Sequence, residues 1–475
     1  MLTQFLSRFD SVASLGTRID YSMAHRKVGV FWFTNDLRLH DQPALKQAAS
    51  IVDELLCVYV LNHQWLTSSV PFTSQVSLHR HRFLNETLID LDTGLQKFGQ
   101  RLVVVTGDPR YELGRIIEYT SADFFYRSSS VGWDENSLWS DLQSNYPSCA
   151  FSSIDSHTLY SRQQLPFTIS DMPLSFSKFR KVIEKENCSK PIEPIGGLPP
   201  GPTNGFTSAS NGTELSETKY ISNSQFKGGE SQGLKHLNVL FQSNQVATYK
   251  EVRNSLDGWR NSCKLSPWLA NGSLSVREVI AQLNHHEKTV ISNEPTYWLY
   301  FELLWREFFQ LYAVKNGSKI FSFRGLKPQG PLTSFYPERF KKWVEGSTPY
   351  PIVNACMNEL RETGYLSNRG RQIVASCLVN ELAIDWRYGA DYFEKTLIDY
   401  DVASNWGNWQ YLAGVGADTR AKRHFNLAKQ TQQFDPNQTY INKWATACTN
   451  PDLDSTDAAD WPIAGCEEAS CSDLT

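Results

Sequence analysis

The chain has 475 residues, 41% of them hydrophobic, and a formal net charge of −4. That length supports two domains with cores of their own, and the charge excludes a uniformly basic surface, so any nucleic-acid binding must use a local positive face. No apolar run approaches the about 18–20 residues of a membrane span. The nine cysteines lack metal-ligand spacing and read as reduced thiols of an intracellular protein. Neither a metal site nor membrane attachment is expected. The 14 Trp, 20 Tyr and 26 Phe suit a protein that stacks planar ligands, and equally one with a large aromatic core.

Residues 1–26 form an N-terminal extension without the apolar centre of a secretory signal. Their Ser, Arg and amphipathic character is compatible with an organelle transit peptide, and Asp10 and Asp20 count against one. A start at Met23 accounts for the segment as well, and the expected location is cytoplasmic. Five short apolar runs follow, at residues 28–34, 55–60, 102–106, 123–126 and 150–154, with helix-length segments such as 76–98 between them. Continuous apolar strands alternating with helices predict a doubly wound parallel sheet over residues 27–160, with ligands at the carboxyl ends of the strands. Residues 161–246 read as an interdomain connector, rich in Gly, Pro, Ser and Asn and irregular from about 191 to 245. Residues 247–447 read as all-helical. Within them, 296–314 is apolar nearly all round and predicts a central helix, and 368–386 predicts a second long helix. Residues 448–475 are a polar, acidic tail.

Several strings carry more than packing. WFTNDLRLHDQPAL (residues 32–45) leaves a strand through a polar turn, with Asp41 placed to cap a helix opening near Pro43; an ordinary strand–helix turn explains it on physics alone. CKLSPWL (263–269) offers backbone amides, the Ser266 hydroxyl and Lys264 to a phosphate at a helix start, although Ser-Pro starts are common. ELLWREF (302–308) puts Glu302, Trp305 and Arg306 on adjoining faces of the apolar helix. Burying those charges costs several kcal/mol unless they pair or meet a ligand. In NRGR, Asn368 and Arg371 are three residues apart and share a helix face. IDYDVASNWGNWQY (398–411) combines Asp399, Asp401, Asn405, Trp406 and Trp409. A solvated acidic turn explains the acids but not the tryptophans beside them.

Together these strings resemble the photolyase/cryptochrome family, with Thr34 standing where its opening motif usually has Arg. GNWQYLAGVGAD and FSKFRKVIE (176–184) resemble its cryptochrome-DASH branch. The resemblance runs from about residue 28 to 444, omitting much of the connector. It implies an α/β antenna domain and an all-α domain that binds FAD. By resemblance, Tyr249 and the loop Ser262, Cys263, Lys264, Leu265, Ser266 contact FAD, and Cys263 replaces a hydroxyl residue. Arg306, Asn368, Arg371, Asp399 and Asp401 surround the cofactor, with Arg371 set against Asp399 to favour a negatively charged reduced flavin. Asn405 sits against the reactive ring nitrogen. Glu302, Trp305, Asn368 and Tyr411 face a damaged-pyrimidine pocket, with Tyr411 where many duplex-specific photolyases carry Trp. Trp409 and Trp386 match the first two tryptophans of an electron relay; the outer one falls at Thr333, with Phe335 and Tyr336 nearby. Asp134 and Glu135 lie near the expected ligand of a methenyltetrahydrofolate antenna, and a solvated acidic turn accounts for them equally. The implied function is blue-light repair of cyclobutane pyrimidine dimers by a monomer that prefers single-stranded DNA. The alternative is a cryptochrome-type photoreceptor without repair.

Overall fold

The structure, a computed structural model, describes residues 26–63, 76–203, 206, 224–243, 245–417 and 424–445. The expectations for residues 1–25 and for the tail 448–475 fall outside these. Five strands form one parallel sheet: β1 (Val28–Phe33), β2 (Glu54–Asn62), β3 (Leu102–Gly107), β4 (Phe124–Ser128) and β5 (Ala150–Ile154), in the order β3-β2-β1-β4-β5. The strands are apolar throughout because both faces are covered. Phe31, Phe33, Cys57 and Tyr59 pack with Leu45 and Leu91 on one side. Val30, Trp32, Val58 and Val103 pack with Ile116 and Trp139 on the other. This is the expected doubly wound α/β unit, and its strand order reverses between β1 and β4.

The remaining core is helical and centres on Glu294–Asn316, a 23-residue helix capped by Asn293, whose side chain accepts from the Thr296 amide at 3.0 Å. Two helix boundaries correct the sequence reading. The expected irregular stretch to residue 245 ends in a helix, Glu230–Gln242, whose Leu237 and Leu240 are buried. The expected long helix 368–386 is two helices, Asn368–Ser376 and Trp386–Thr396. A π-helical turn at Cys377–Glu381 and a left-handed Ala383 (φ 52°) reverse the chain, and the Asp385 carboxylate caps the new helix by accepting from the Arg387 amide at 3.0 Å. The apolar periodicity continues across this break, so pattern alone does not reveal it.

The turn after β1 fastens the two halves together. Asp36 is fully buried and accepts from Ser128 Oγ at 2.6 Å, Gln42 Nε2 at 3.0 Å and the Thr34 amide at 2.7 Å. Arg38, also buried, donates to the carbonyls of Asp41, Ser156 and, across the domains, Gly272 at 2.8 Å. The expected cap by Asp41 is corrected. Gln42 occupies that position without a side-chain bond, and Asp41 instead accepts from the Ser275 hydroxyl and from the Ile192 amide at 3.0 Å. Gly272 (φ 68°) approaches the Asn35 carbonyl so closely that a β-carbon there would overlap it.

A second clasp is Glu307 of the central helix, which is 0% exposed and accepts from the amides of Leu159 at 2.9 Å and Tyr160 at 3.3 Å. Burial pushes its carboxyl up to about 7 from 4.5. A carboxyl whose pKa is raised by folding stabilises most below its unfolded value and loses that contribution as pH rises through the folded one. The difference corresponds to about 3 kcal/mol. Glu359, also pushed up to about 7 by burial, behaves in the same way. Unfolding free energy should therefore fall between pH 5 and pH 8, and Glu307→Gln should make that slope measurably shallower. Denaturant titrations across this range check it; an unchanged slope in the variant would show that Glu307 does not carry the proton.

Candidate functional site

A cavity of about 630 Å³ opens within the helical region, inside the range usual for ligand sites. Its walls come from the central helix, the loop before Ser266, the helix Asn368–Ser376 and the helix Val402–Leu412. Of the expected site residues, Tyr249, Ser262, Cys263, Lys264, Leu265, Ser266, Glu302, Trp305, Arg306, Asn368, Arg371, Asp399, Asp401, Asn405, Trp409 and Tyr411 all line it. Trp386 does not.

The most constrained part of the wall is an ion pair. Arg371 Nη2 donates to both oxygens of Asp399 at 2.9 and 2.8 Å, and its Nε donates to the Leu366 carbonyl at 2.8 Å. Burial lowers the guanidinium pKa, but Asp399 more than offsets this and holds it above its usual range. Asp401 caps the next helix, accepting from the Ser404 amide at 2.7 Å, and both its oxygens accept from Gln310 Nε2 at 2.9 Å. That helix carries Asn405, Trp409 and Tyr411. Asn405 Nδ2 donates to the Ala390 carbonyl at 2.9 Å, so the acceptor end of its amide is left for a ligand. Gly389 leaves room for the Trp409 ring, which a β-carbon there would overlap.

On another side, Lys264 takes a left-handed backbone (φ 52°) and places its ammonium over the Tyr365 ring at 4.6 Å. Two carbonyls of this loop are anchored from behind: Ser262 accepts from Gln245 Nε2 at 3.0 Å and Cys263 from His236 Nε2 at 2.8 Å. The helix that follows, Ser266–Ala270, has only five residues. A phosphate would thus be met by the loop and Lys264 rather than by a strong helix dipole, which lessens the expected contribution of the helix start.

The central helix contributes Glu302, bonded to Arg253 Nη1, whose guanidinium lies 4.6 Å over the Trp298 ring. Burial pushes the Glu302 carboxyl up, and Arg253 pulls against it. Trp305 is stacked on Phe176 with centroids 3.7 Å apart and meets Tyr411 edge-on at 6.0 Å. One face of Trp305 is therefore already covered by the FSKFRKVIE segment. Arg306 Nη1 donates to the His157 carbonyl at 2.7 Å, so it ties the α/β unit to the cavity wall. Arg253, Trp298 and Tyr365 also line the cavity and were missed in the sequence. Arg253 lies four residues after Tyr249, and that helical spacing could have shown it; nothing local singles out Tyr365.

Outside the cavity, Trp386 is buried and donates from Nε1 to the Phe323 carbonyl at 3.1 Å. Its ring meets Trp406 at 5.7 Å. Phe335 stacks on Tyr388 at 4.0 Å, and Tyr336 lies under the Arg339 guanidinium at 4.2 Å. Thr333 has its hydroxyl buried without a partner. Asp134 and Glu135 open the helix Trp133–Asn145. Asp134 is exposed and Glu135 partly buried, and burial pushes the Glu135 carboxyl up beside Asp134 and Glu394. Among the described residues there is no cluster of metal-ligating side chains and no helix long and apolar enough to cross a membrane.

Residues 29–196 match the family profile described as DNA photolyase, and residues 298–469 match the FAD binding domain of DNA photolyase. A cryptochrome DASH of Idiomarina loihiensis is 46% identical over 446 residues, covering 93% of this chain and 98% of that one. A cryptochrome DASH of Vibrio parahaemolyticus is 46% identical over 93% of this chain and 99% of its own length. Among solved structures, a Synechocystis cryptochrome superposes with a TM-score of 0.81 at 38% identity over 88% of this chain and 89% of that one. A class III photolyase from Agrobacterium tumefaciens gives 0.74 at 26% identity over 90% and 88%. The chain belongs to the photolyase/cryptochrome family and, within it, to the cryptochrome-DASH branch. Its helical domain is an FAD-binding domain. The cavity suits that group: the Lys264 loop offers a cation for a diphosphate, Arg371 a partly buried cation for an anionic ring, and Asn405 a neutral acceptor for a ring N–H.

The Arg371–Asp399 pair yields a direct prediction. Asp399→Asn leaves a partly buried guanidinium without its counter-charge. Breaking a fully buried pair costs about 3–5 kcal/mol, and the quarter of Arg371 that remains exposed should hold the loss to roughly 2–3 kcal/mol. Urea unfolding of the flavin-free protein should show this loss, together with weakened FAD retention after reconstitution. Unchanged stability would mean that the pair does not organise the cavity wall.

Proposed function

We propose that this protein is a blue-light-driven, FAD-dependent DNA photolyase that splits cyclobutane pyrimidine dimers and prefers single strands. The observation that supports this best is that Glu302, Trp305, Asn368 and Tyr411 share one cavity with Arg371, Asp399 and Asn405. A sensor needs only the second set. When bound, FAD supplies light-driven one-electron chemistry, and the protein's part is to hold and polarise. Tyr249 and the loop Ser262–Ser266 hold the cofactor, the backbone amides and Lys264 taking the diphosphate. Arg371 favours a negative ring, and Asn405 accepts a ring hydrogen without adding charge. Glu302, whose carboxyl burial raises while Arg253 pulls against it, is the acid that hydrogen-bonds the edge of a pyrimidine in this reading. Arg253 holds it in place. Trp305 and Tyr411 form the apolar wall against a flipped base. Trp409 lines the cavity and is the immediate electron donor to the cofactor, and Trp386 is the next donor in the relay. Asp134 and Glu135 are our candidates for the antenna site, to which we assign methenyltetrahydrofolate. DNA is the partner, and a monomer suffices for this chemistry.

Tyr411 in place of Trp reduces the apolar surface against a lesion. Base–aromatic stacking is worth about 1–3 kcal/mol, comparable with the few kcal/mol of extracting a paired base. Repair under matched light and salt should be at least several-fold faster on single-stranded than on duplex dimer substrates. Equal rates would overturn the substrate preference.

Asn405→Asp should retain FAD but fail to reach full reduction under blue light with a reductant, and should lose most repair. Two negative charges about 4 Å apart repel by roughly 4 kcal/mol at an effective dielectric of 20. The visible spectrum during illumination checks this. Full reduction and normal repair in the variant would place Asn405 away from the reactive nitrogen.

A further inference from the structure

Trp406 and Glu394 form a polar contact that the cavity does not use. The Trp406 indole meets Trp386 at 5.7 Å and 76°, and its other ring contact is Phe321 at 4.9 Å. Its Nε1 donates to Glu394 Oε2 at 3.2 Å. The same oxygen accepts from the Tyr400 hydroxyl at 2.7 Å. Arg80 donates to the Glu394 backbone carbonyl, and its guanidinium lies 4.8 Å from the Tyr400 ring centroid. Other buried indoles are satisfied differently: Trp268, Trp343 and Trp386 donate to the carbonyls of Lys227, Val374 and Phe323 at 3.0, 3.0 and 3.1 Å. A backbone carbonyl completes a hydrogen bond but cannot take up a proton. A carboxylate can do both. A backbone carbonyl would have satisfied the indole as it does elsewhere, and a carboxylate at this place carries a desolvation cost that Arg80 offsets only in part.

We propose that Trp406 is the outer member of the electron relay and Glu394 its proton acceptor. This rests on the reading of Trp409 and Trp386 as the inner relay, and it accounts for the Thr333 that stands where the outer tryptophan is expected. The oxidant is the light-excited oxidised flavin. One electron reaches it through Trp409, Trp386 refills Trp409, and Trp406 refills Trp386. As Trp406 loses its electron, its Nε1–H bond breaks and the proton passes to Glu394 Oε2. The products are a neutral indolyl radical and a protonated Glu394, and an external thiol later returns one electron while the proton moves back. The vacancy cannot retreat to Trp386 unless the proton returns first, so the separated charges persist. The groups facing Glu394 are Trp406, Tyr400, Arg80, Asp391 and Glu135. Burial raises the Glu394 carboxyl, which makes its anion a stronger base, while Arg80 favours that anion.

The test uses the full chain with oxidised FAD bound, examined by flash absorption, electron paramagnetic resonance and light-minus-dark infrared spectroscopy. The native protein should give a deprotonated indolyl radical and a new carboxylic-acid carbonyl band. Glu394→Gln, which conserves shape, should lose that band and shorten the radical lifetime by at least an order of magnitude. Trp406→Phe should show neither signal. If Trp386→Phe abolishes the long-lived radical while Trp406→Phe and Glu394→Gln keep the native radical, band and lifetime, the inner relay stands and this proposal falls. If Trp386→Phe itself leaves the yield and lifetime of the long-lived radical unchanged, the relay reading fails and takes this proposal with it.

Discussion

The ion pair between Arg371 and Asp399 is the constraint on which the site depends. An aromatic helical core gains nothing from enclosing a guanidinium and a carboxylate unless each satisfies the other. Here each does, through two hydrogen bonds. The pair pins the segment 398–401 against the helix Asn368–Ser376, and Asp401 then caps the helix that carries Asn405, Trp409 and Tyr411. One electrostatic contact thereby sets the positions of Asn405, Trp409 and Tyr411 along the cavity wall. Glu302 is held on another wall by its own partner, Arg253. The cavity wall thus holds two ion pairs, Arg371 with Asp399 and Arg253 with Glu302.

Placement of that cavity relative to the sheet rests on arginines that end on backbone carbonyls. Arg38 reaches Gly272, Arg306 reaches His157, and Arg277 reaches Thr158 and Asp155. Guanidinium groups suit this work because each offers five donors in a fixed plane. The motif WFTNDLRLHDQPAL therefore serves as a clasp between the halves. Its residues Asp36, Arg38 and Asp41 are buried in hydrogen bonds to protein, and none of them lines the cavity.

The sheet was legible because both its faces are buried, which leaves continuous apolar runs that need no tertiary knowledge to see. The cavity wall was legible mainly through family resemblance, since Asp399 and Asn405 differ from surface residues only in what the fold brings against them. Contacts between distant segments were not legible. Phe176 covering Trp305, Arg253 holding Glu302 and Glu394 meeting Trp406 each join residues from different elements. Asp385 was missed for another reason: it caps a helix inside an unbroken apolar pattern, where a short acidic side chain looks like one polar position of a longer helix.

The central claim is that the residues around Asn405 and Arg371 serve a flavin that gives an electron to a lesion held by Glu302, Trp305 and Tyr411. The most direct measurement is the excited-state lifetime of the fully reduced, FAD-loaded protein, with and without a short single strand containing one thymine dimer. The account predicts that the dimer shortens the lifetime, that the undamaged strand does not, and that intact thymines appear in step with the quenching. A lifetime indifferent to a bound dimer would contradict it.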